Sequence, residues 1–99
     1  MKYKVIEEEI TVSNGSSKFS NTYVLTNDGM VLKYLFVVGA SSVDIQLMVG
    51  GIPKRKFLFE DQKLEVMEEV YKNEDVKIKI TNSSGASITA YVYLLIQEY

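Results

Sequence analysis

The carboxy-terminal stretch 88–99 carries apolar residues at both odd and even positions. If this stretch forms a strand, one face holds Ile88, Ala90, Val92, Leu94 and Ile96, and the other holds Thr89, Tyr91, Tyr93, Leu95, Gln97 and Tyr99. A surface strand of a small antiparallel sandwich needs only one apolar face, because its other face meets water. The second face therefore predicts a neighbour, which is another part of the chain, another subunit or a ligand.

The size and composition of the chain predict one folded domain over residues 1–99. The chain has 99 residues, of which 46% are hydrophobic, and this is enough for a single core. Its formal net charge of −2 argues against a nucleic-acid partner, which ordinarily selects a basic surface. The one basic cluster, 54–56, is too short for a polyanion site and is expected to be a solvated loop or edge.

Catalytic chemistry finds no positive support in the sequence. There is no cysteine and no histidine, so a thiol nucleophile, a thiolate metal site and the commonest general base are all missing. The glutamates at 7–9 and at positions 65, 68 and 69 are interpreted as solvated faces rather than paired catalytic acids. The oxygen-rich turns at 27–29 and 73–75 do not match the spacing of a dedicated calcium loop. We expect no enzyme activity, no catalytic residue, no cofactor and no metal site.

The amino terminus has no apolar segment of signal-peptide length, and no run approaches the ~20 apolar residues of a membrane span. These features predict a soluble protein that is made in the cytoplasm and has no membrane partner.

Strand signals recur along the whole chain. Asn14-Gly15 and Asp28-Gly29 are strong hairpin turns, and β-branched and aromatic residues dominate the runs between turns. The predicted strands are approximately 2–12, 18–25, 30–38, 43–49, 54–59, 64–71, 76–80 and 88–99. The run 64–71 also fits one face of a helix, but it is short for an isolated helix, and we favour a strand.

Seven or eight short strands predict an all-β, antiparallel sandwich of the jelly-roll type. The predicted core consists of Leu35, Val37, Ile45, Leu47, Phe57, Ile78, Ile80, Val92 and Leu94. The predicted interface lies on the other face of the last strand and consists of Tyr91, Tyr93, Leu95 and Tyr99. Tyrosine is enriched in protein interfaces and is also used in sugar-binding platforms, so packing within one subunit, a subunit contact and a ligand platform all remain open.

Two segments give the chain a familiar outline. Residues 43–51 (VDIQLMVGG) predict a strand that ends in a glycine turn. Residues 71–86 (YKNEDVKIKITNSSGA) predict an acidic turn, an alternating strand and a Thr-Asn-Ser turn before the long last strand. This outline resembles small jelly-roll and related β-sandwich proteins of virus and phage particles, of the decoration, spike-base or vertex type. Carbohydrate-binding modules and trimeric tumour-necrosis-factor-like domains share it.

The resemblance implies a jelly-roll fold and a homo-oligomer, often a trimer or pentamer, and it carries over no functional residue. The resulting hypothesis is a non-catalytic structural subunit that associates with copies of itself or belongs to a larger assembly such as a virion. The alternative hypothesis is a carbohydrate-binding module that uses an aromatic surface strip.

Overall fold

The computed structural model of the chain describes residues 2–39, 42–58 and 62–99, and among these it describes all side chains except those of 54–58 and 62–67. The described residues form antiparallel strands joined by short turns. The strands are β1 Lys2–Val12, β2 Ser17–Phe19, β3 Tyr23–Val24, β4 Gly29–Val37, β5 Val43–Val49, β6 Ile52–Leu58, β7 Gln62–Val70, β8 Asp75–Asn82 and β9 Ile88–Glu98. The described part of the chain contains no helix that could cross a membrane.

Two sheets pack face to face. The first sheet has the order β1-β9-β4-β7, and the second has the order β2-β8-β5-β6 with β3 also paired to β8. The pairs are nested along the chain, since β1 pairs with β9, β2 with β8, β4 with β7 and β5 with β6. This order is jelly-roll-like and confirms the predicted antiparallel sandwich. The predicted strand at 64–71 is also confirmed, since β7 is extended.

The core lies between the two sheets and follows the period-2 alternation of the strands. In β5, β8 and β9 every second residue is buried, as expected for strands that have one face on the core. Six predicted core residues are confirmed as buried: Ile45, Leu47, Ile78, Ile80, Val92 and Leu94. The predicted core residue Phe57 lies outside the residues whose side chains are described.

Two predicted core residues, Leu35 and Val37, are wrong. Tyr34 and Phe36 occupy the core instead and stack with their ring centroids 4.9 Å apart, while Leu35 is only partly buried and Val37 is 43% exposed. The cause is a β-bulge, since the register of β4 shifts between Val31 and Lys33 against both neighbouring strands. One extra residue on a strand inverts the alternation beyond it.

The predicted strand 18–25 is interrupted. Ser20 is buried between β2 and β3, where its hydroxyl accepts a 2.8 Å hydrogen bond from the Ile78 N–H. Pro53 follows Gly50-Gly51, a sequence that predicts a turn containing the proline. It lies instead inside β6, which is the last strand in the order of the second sheet. A terminal strand tolerates proline because one side of it has no ladder to complete.

Strand β1 stands at the end of the first sheet, and Glu8 lies on its inward side between Ile6 and Ile10. The Glu8 carboxylate accepts a 2.7 Å hydrogen bond from the Asn21 backbone N–H in the segment between β2 and β3. This bond joins the edge of the first sheet to the adjacent edge of the second. A charged residue within the inward series of β1 suggests an edge or a bulge, and β1 is an edge strand of the first sheet.

Buried polar side chains hold both ends of the sandwich. At one end, the Asn82 amide Nδ2 donates to the carbonyls of Val12 and Ala86 at 2.9 and 2.7 Å, and its Oδ1 accepts from the Ser84 N–H at 2.9 Å. At the other end, the Glu98 carboxylate is 2% exposed. It accepts from the Tyr23 hydroxyl at 3.0 Å and from the Thr26 N–H at 3.1 Å. Burial, and then the bond to Glu98 and its charge, raise the pKa of Tyr23.

Candidate binding surface

The surface that stands out is the outer face of the first sheet, where β9 runs between β1 and β4. Residues that point away from the core come into rows because the strands are paired in register. From one end of β9 to the other, the rows are Glu9–Tyr91–Val37, Glu7–Tyr93–Leu35, Val5–Leu95–Lys33 and Tyr3–Gln97–Met30. The predicted second face of the last strand therefore has described neighbours on both sides.

An apolar band crosses these rows obliquely. It starts on β1, crosses β9 and ends on β4, and we call it the apolar diagonal. Its members are Tyr3, Val5, Leu95, Tyr93, Leu35, Tyr91 and Val37. Four of them are strongly exposed, at 61% for Tyr3, 42% for Val5, 48% for Tyr91 and 43% for Val37, and the other three are partly buried. The described residues thus leave much of the diagonal exposed.

Opposite charges flank the apolar diagonal. Glu7 and Glu9 lie on β1 on one side of it, and Lys33 lies on β4 on the other side. All three side chains are exposed. Glu7 and Lys33 are separated by the full width of β9, which corresponds to about 10 Å between strands. The face therefore carries two glutamates beside the apolar band on β1, and one lysine on β4 that lies in register with Glu65 of β7.

The structure brings together three of the four predicted interface residues. Tyr91, Tyr93 and Leu95 share the outer face of β9. Tyr99 lies beyond the end of β9, where its backbone N–H donates to the Asp28 carbonyl at 2.9 Å. Its side chain is 57% exposed and lines a small cleft of about 200 Å³ together with Asp28, Glu69 and Tyr71. Tyr99 is therefore at the margin of the face and outside the apolar diagonal.

Sequence reasoning missed the contributions of β1 and β4 to this surface. Tyr3 and Val5 share the parity of Glu7 and Glu9, but nothing in the sequence shows that they lie beside Gln97 and Leu95. Leu35 and Val37 were assigned to the core. A stretch that is apolar on both sides, such as β4, carries no signal that tells one face from the other.

The outer face of the second sheet differs in character. Its exposed ring, Phe19, lies beneath two ammonium groups, with Lys77 Nζ 4.5 Å and Lys79 Nζ 5.8 Å from the ring centroid. Lys77 also approaches the Asp75 carboxylate at 4.0 Å. These cation–π contacts place charged groups beside the ring, although Phe19 stays 50% exposed. Val24 and Ile52 are also exposed, but these three residues lie on three different strands, whereas the exposed apolar residues of the first sheet lie side by side.

The acidic turn after β7 is organised by its own hydrogen bonds. The Tyr71 N–H donates to Glu74 at 2.8 Å, the Lys72 N–H donates to Asp28 at 2.8 Å, and the Tyr71 hydroxyl donates to Glu69 at 3.3 Å. The negative charge of Glu69, more than any other cause, raises the pKa of Tyr71. Among the described residues, no three histidine, cysteine or carboxylate side chains are grouped so that they could hold a metal ion.

No protein-family model matches the chain, and no curated protein sequence matches it. Solved structures share its fold. The CBM36-1 domain of a multidomain xylanase from the hindgut metagenome of Trinervitermes trinervoides is 11% identical, with a TM-score of 0.61 over 99% of this chain and 98% of that one. FLHE is 9% identical, with a TM-score of 0.62 over 100% and 98%. The subunit of the disulfide-linked endospore appendages of Bacillus is 12% identical, with a TM-score of 0.58 over 99% and 91%. At these identities the likeness shows a small β-sandwich fold.

Proposed function

We propose that this protein is a non-catalytic subunit that binds copies of itself through the outer face of the first sheet. The observation that carries the proposal is the apolar diagonal, which crosses β1, β9 and β4 on the outer face of the first sheet and stays largely exposed beside the described residues. Apolar patches of ~300–600 Å² on small proteins commonly mark interaction sites. A second sheet face is the simplest cover for a flat, twisted surface of this kind.

The size of the apolar diagonal supports a stable contact. The total accessible area of a tyrosine side chain is ~200 Å². From the exposed fractions of its four most exposed residues, the apolar diagonal presents about 400 Å² of accessible surface in each copy. Covering this area contributes up to about 10 kcal/mol per copy before the costs of association. A standard interface buries ~800 Å² on each partner. A contact of that size would extend beyond the diagonal to flanking charged residues such as Glu7 and Glu9, which would form its polar rim.

The composition of the diagonal favours a protein partner over a sugar. Val5, Leu35, Val37 and Leu95 are branched aliphatic side chains that interleave with similar side chains, as in the core of a sandwich. A sugar platform instead needs exposed flat rings with hydrogen-bonding groups beside them. Most of this face lacks that arrangement.

Carbohydrate binding is the second candidate, and one corner of the face favours it. Tyr91 is 48% exposed, Glu9 lies beside it, and the hydroxyls of Thr11 and Thr89 lie one row further along, 3.1 Å apart. The likeness in fold to the CBM36-1 domain of a xylanase adds modest support. A pull-down on insoluble polysaccharides tests this function. Retention that is lost in Tyr91→Ala would support it, and no retention on any polysaccharide would speak against it.

The larger assembly is a further part of the proposal. The sequence outline suggests a particle such as a virion and a trimer or pentamer, while the shared fold with the Bacillus endospore appendage subunit suggests that sandwiches of this shape also suit filaments. Both settings require copies that contact one another. The proposal of self-association does not depend on which setting applies.

Tyr93→Glu tests self-association directly. Tyr93 lies at the centre of the face, and a carboxylate there would be desolvated in any face-to-face contact, which costs several kcal/mol. We expect light scattering at micromolar concentration to show an oligomer for the unmodified protein and a monomer for Tyr93→Glu. The matched control is Phe19→Glu. Phe19 is an exposed aromatic residue on the second sheet, and Lys77 and Lys79 lie close enough to pair with a glutamate there. This variant should remain oligomeric. A monomeric unmodified protein, or unchanged mass in Tyr93→Glu, would contradict the proposal.

A further inference from the structure

We infer that the cleft between Tyr71 and Tyr99 binds a primary alkylammonium group, of the kind that ends a lysine side chain. The cleft has a volume of about 200 Å³ and lies at one end of the first sheet, outside the apolar diagonal. The inference goes beyond self-association and does not depend on it. It follows from the aromatic rings and carboxylates that three neighbouring strand ends bring together.

The strand ends place a tyrosine on each side of an aspartate. Asp28 directly precedes β4, which runs between β9 and β7. Tyr99 directly follows β9 and Tyr71 directly follows β7, and the last residue of each of these strands is in register with Gly29. Both tyrosines therefore come beside Asp28, and their backbones are two strand spacings apart, which is about 10 Å.

Both rings are open to a ligand. Tyr71 is 60% exposed and Tyr99 is 57% exposed, and the two side chains line the same cleft. A cation midway between rings that are about 10 Å apart lies about 5 Å from each, within the ~6 Å reach of a cation–π contact. The described lysines that lie over aromatic rings are on Phe19 and Tyr23, elsewhere on the surface. Lys72 follows Tyr71 in the chain but does not line the cleft.

The carboxylates of the cleft keep acceptor capacity. Asp28 accepts one hydrogen bond from the Lys72 N–H at 2.8 Å, and Glu69 accepts one from the Tyr71 hydroxyl at 3.3 Å. An ionised carboxylate can accept about four hydrogen bonds, so both can also accept from a ligand. The charge of Glu69 and its hydrogen bond raise the pKa of Tyr71 most, and the charges of Glu74 and Asp28 raise it further. Negative potential from three carboxylates thus converges on the Tyr71 ring.

The combination of rings and carboxylates selects the kind of cation. A metal ion needs more oxygen ligands, and the described residues group no three side chains that could hold one. A quaternary ammonium group would contact the rings but has no N–H to donate to the carboxylates. A primary ammonium group has three N–H donors, so it can bind Asp28 and Glu69 while its charge lies between the rings.

NMR titration of the ¹⁵N-labelled protein with n-butylammonium chloride tests this site. We expect saturable shifts of the backbone N–H signals of Gly29, Tyr71, Lys72 and Tyr99, with a Kd in the millimolar range because exposed contacts of this kind are individually weak. Added salt should weaken binding, since exposed charges are screened. The neutral probe n-butanol has the same length and should not produce these shifts. No shifts at these residues, or equal shifts with n-butanol, would overturn the inference.

Three variants assign the binding to the cleft. Tyr71→Leu and Tyr99→Leu each remove one ring, and Asp28→Asn removes a charge but keeps an oxygen that can accept from the Lys72 N–H. Each should raise the Kd for n-butylammonium at least ~3-fold. The matched control is Tyr91→Leu, which removes an exposed tyrosine of the same sheet face far from the cleft and should leave the Kd unchanged. Because these positions are exposed, circular dichroism should show that all four variants remain folded. An equal loss in Tyr91→Leu, or no loss in the three cleft variants, would overturn the assignment.

Further probes identify the source of the ammonium group. N-acetyl-lysine methylamide carries it on a peptide unit, and 1,5-diaminopentane carries it on a free amine. Tighter binding of the first supports recognition of a lysine side chain of another polypeptide, and tighter binding of the second supports a small amine as the ligand. Tetramethylammonium should bind more weakly than n-butylammonium. If it binds more tightly, the carboxylates are not hydrogen-bonding to the cation, and the inference of a primary ammonium ligand is overturned.

Discussion

Asn82→Ala is expected to be among the most destabilising conservative changes on the described polar residues. The Asn82 side chain is fully buried and makes three hydrogen bonds, two to the carbonyls of Val12 and Ala86 and one from the Ser84 N–H. Truncation removes these three bonds at the point where β1, β8 and the turn before β9 meet, although the Ala86 carbonyl keeps a 3.0 Å bond from the Ser84 hydroxyl. A net value of ~1 kcal/mol for each lost bond gives a decrease of about 3 kcal/mol in the free energy of unfolding.

Urea unfolding followed by circular dichroism measures this change. A decrease of about 3 kcal/mol with an unchanged m-value lowers the midpoint by roughly 1–3 M urea, and it lowers Tm by roughly 10–20 °C for a domain of this size. The matched control is Asn14→Ala at the same end of the sandwich. Asn14 is exposed and accepts one 3.0 Å bond from the Gly85 N–H, so its loss should cost below about 1 kcal/mol. Equal effects of the two substitutions would refute the reasoning, since burial of the bonds is what separates them.

Two further changes probe the opposite end of the sandwich. Gly29→Ala should lower the free energy of unfolding by more than about 2 kcal/mol in the same urea experiment, because a Cβ there would collide with the Gln97 carbonyl oxygen. A decrease of less than about 0.5 kcal/mol would contradict this prediction and show that the backbone moves to accommodate the methyl group. The pKa of Tyr23 is raised in the folded protein, so folding favours its neutral hydroxyl. Its contribution to stability is therefore complete below about pH 10, the pKa of tyrosine in the unfolded chain, and is lost as pH rises through the pKa of Tyr23 in the folded protein. Unfolding measured at pH 9 and pH 11 should therefore show a smaller alkaline loss in Tyr23→Phe than in the unmodified protein, and equal losses would contradict the prediction.

Strand positions were largely predictable from the sequence because turns and alternation are local signals. The runs 2–12 and 43–49 coincide with β1 and β5, and the cleanest alternation, 76–80, lies within β8. The interior residues of β5, β8 and β9 were also predictable, since each of these strands has a face that alternation identifies. The helix-like spacing at 64–71 did not prevent a strand, because the sheet supplies a partner along β4.

The composition of the binding surface depended on features that are not local. The bulge of β4 after Val31 reverses which side of the strand faces the core. Its one hint within 30–38 is Lys33, a charged residue at the parity of Leu35 and Val37, and a single charge does not locate a bulge. The neighbours of β9 come from the first and fourth strands, and pairing between such distant segments is set by the whole topology rather than by any short motif. The sequence therefore predicted the central strand of the surface and left its two flanks undetermined.

The position of Glu8 has a consequence for how copies of this chain can grow into larger structures. An added strand at the margin of β1 would have to pull this carboxylate away from Asn21 and bury it against a new backbone, which is a common safeguard against fibril growth. Lengthening of the first sheet by strand addition at that margin is therefore disfavoured from the outset. This safeguard acts at the margin of β1 and does not extend to the broad faces of the sandwich, where another molecule could dock without opening a hydrogen-bonded sheet.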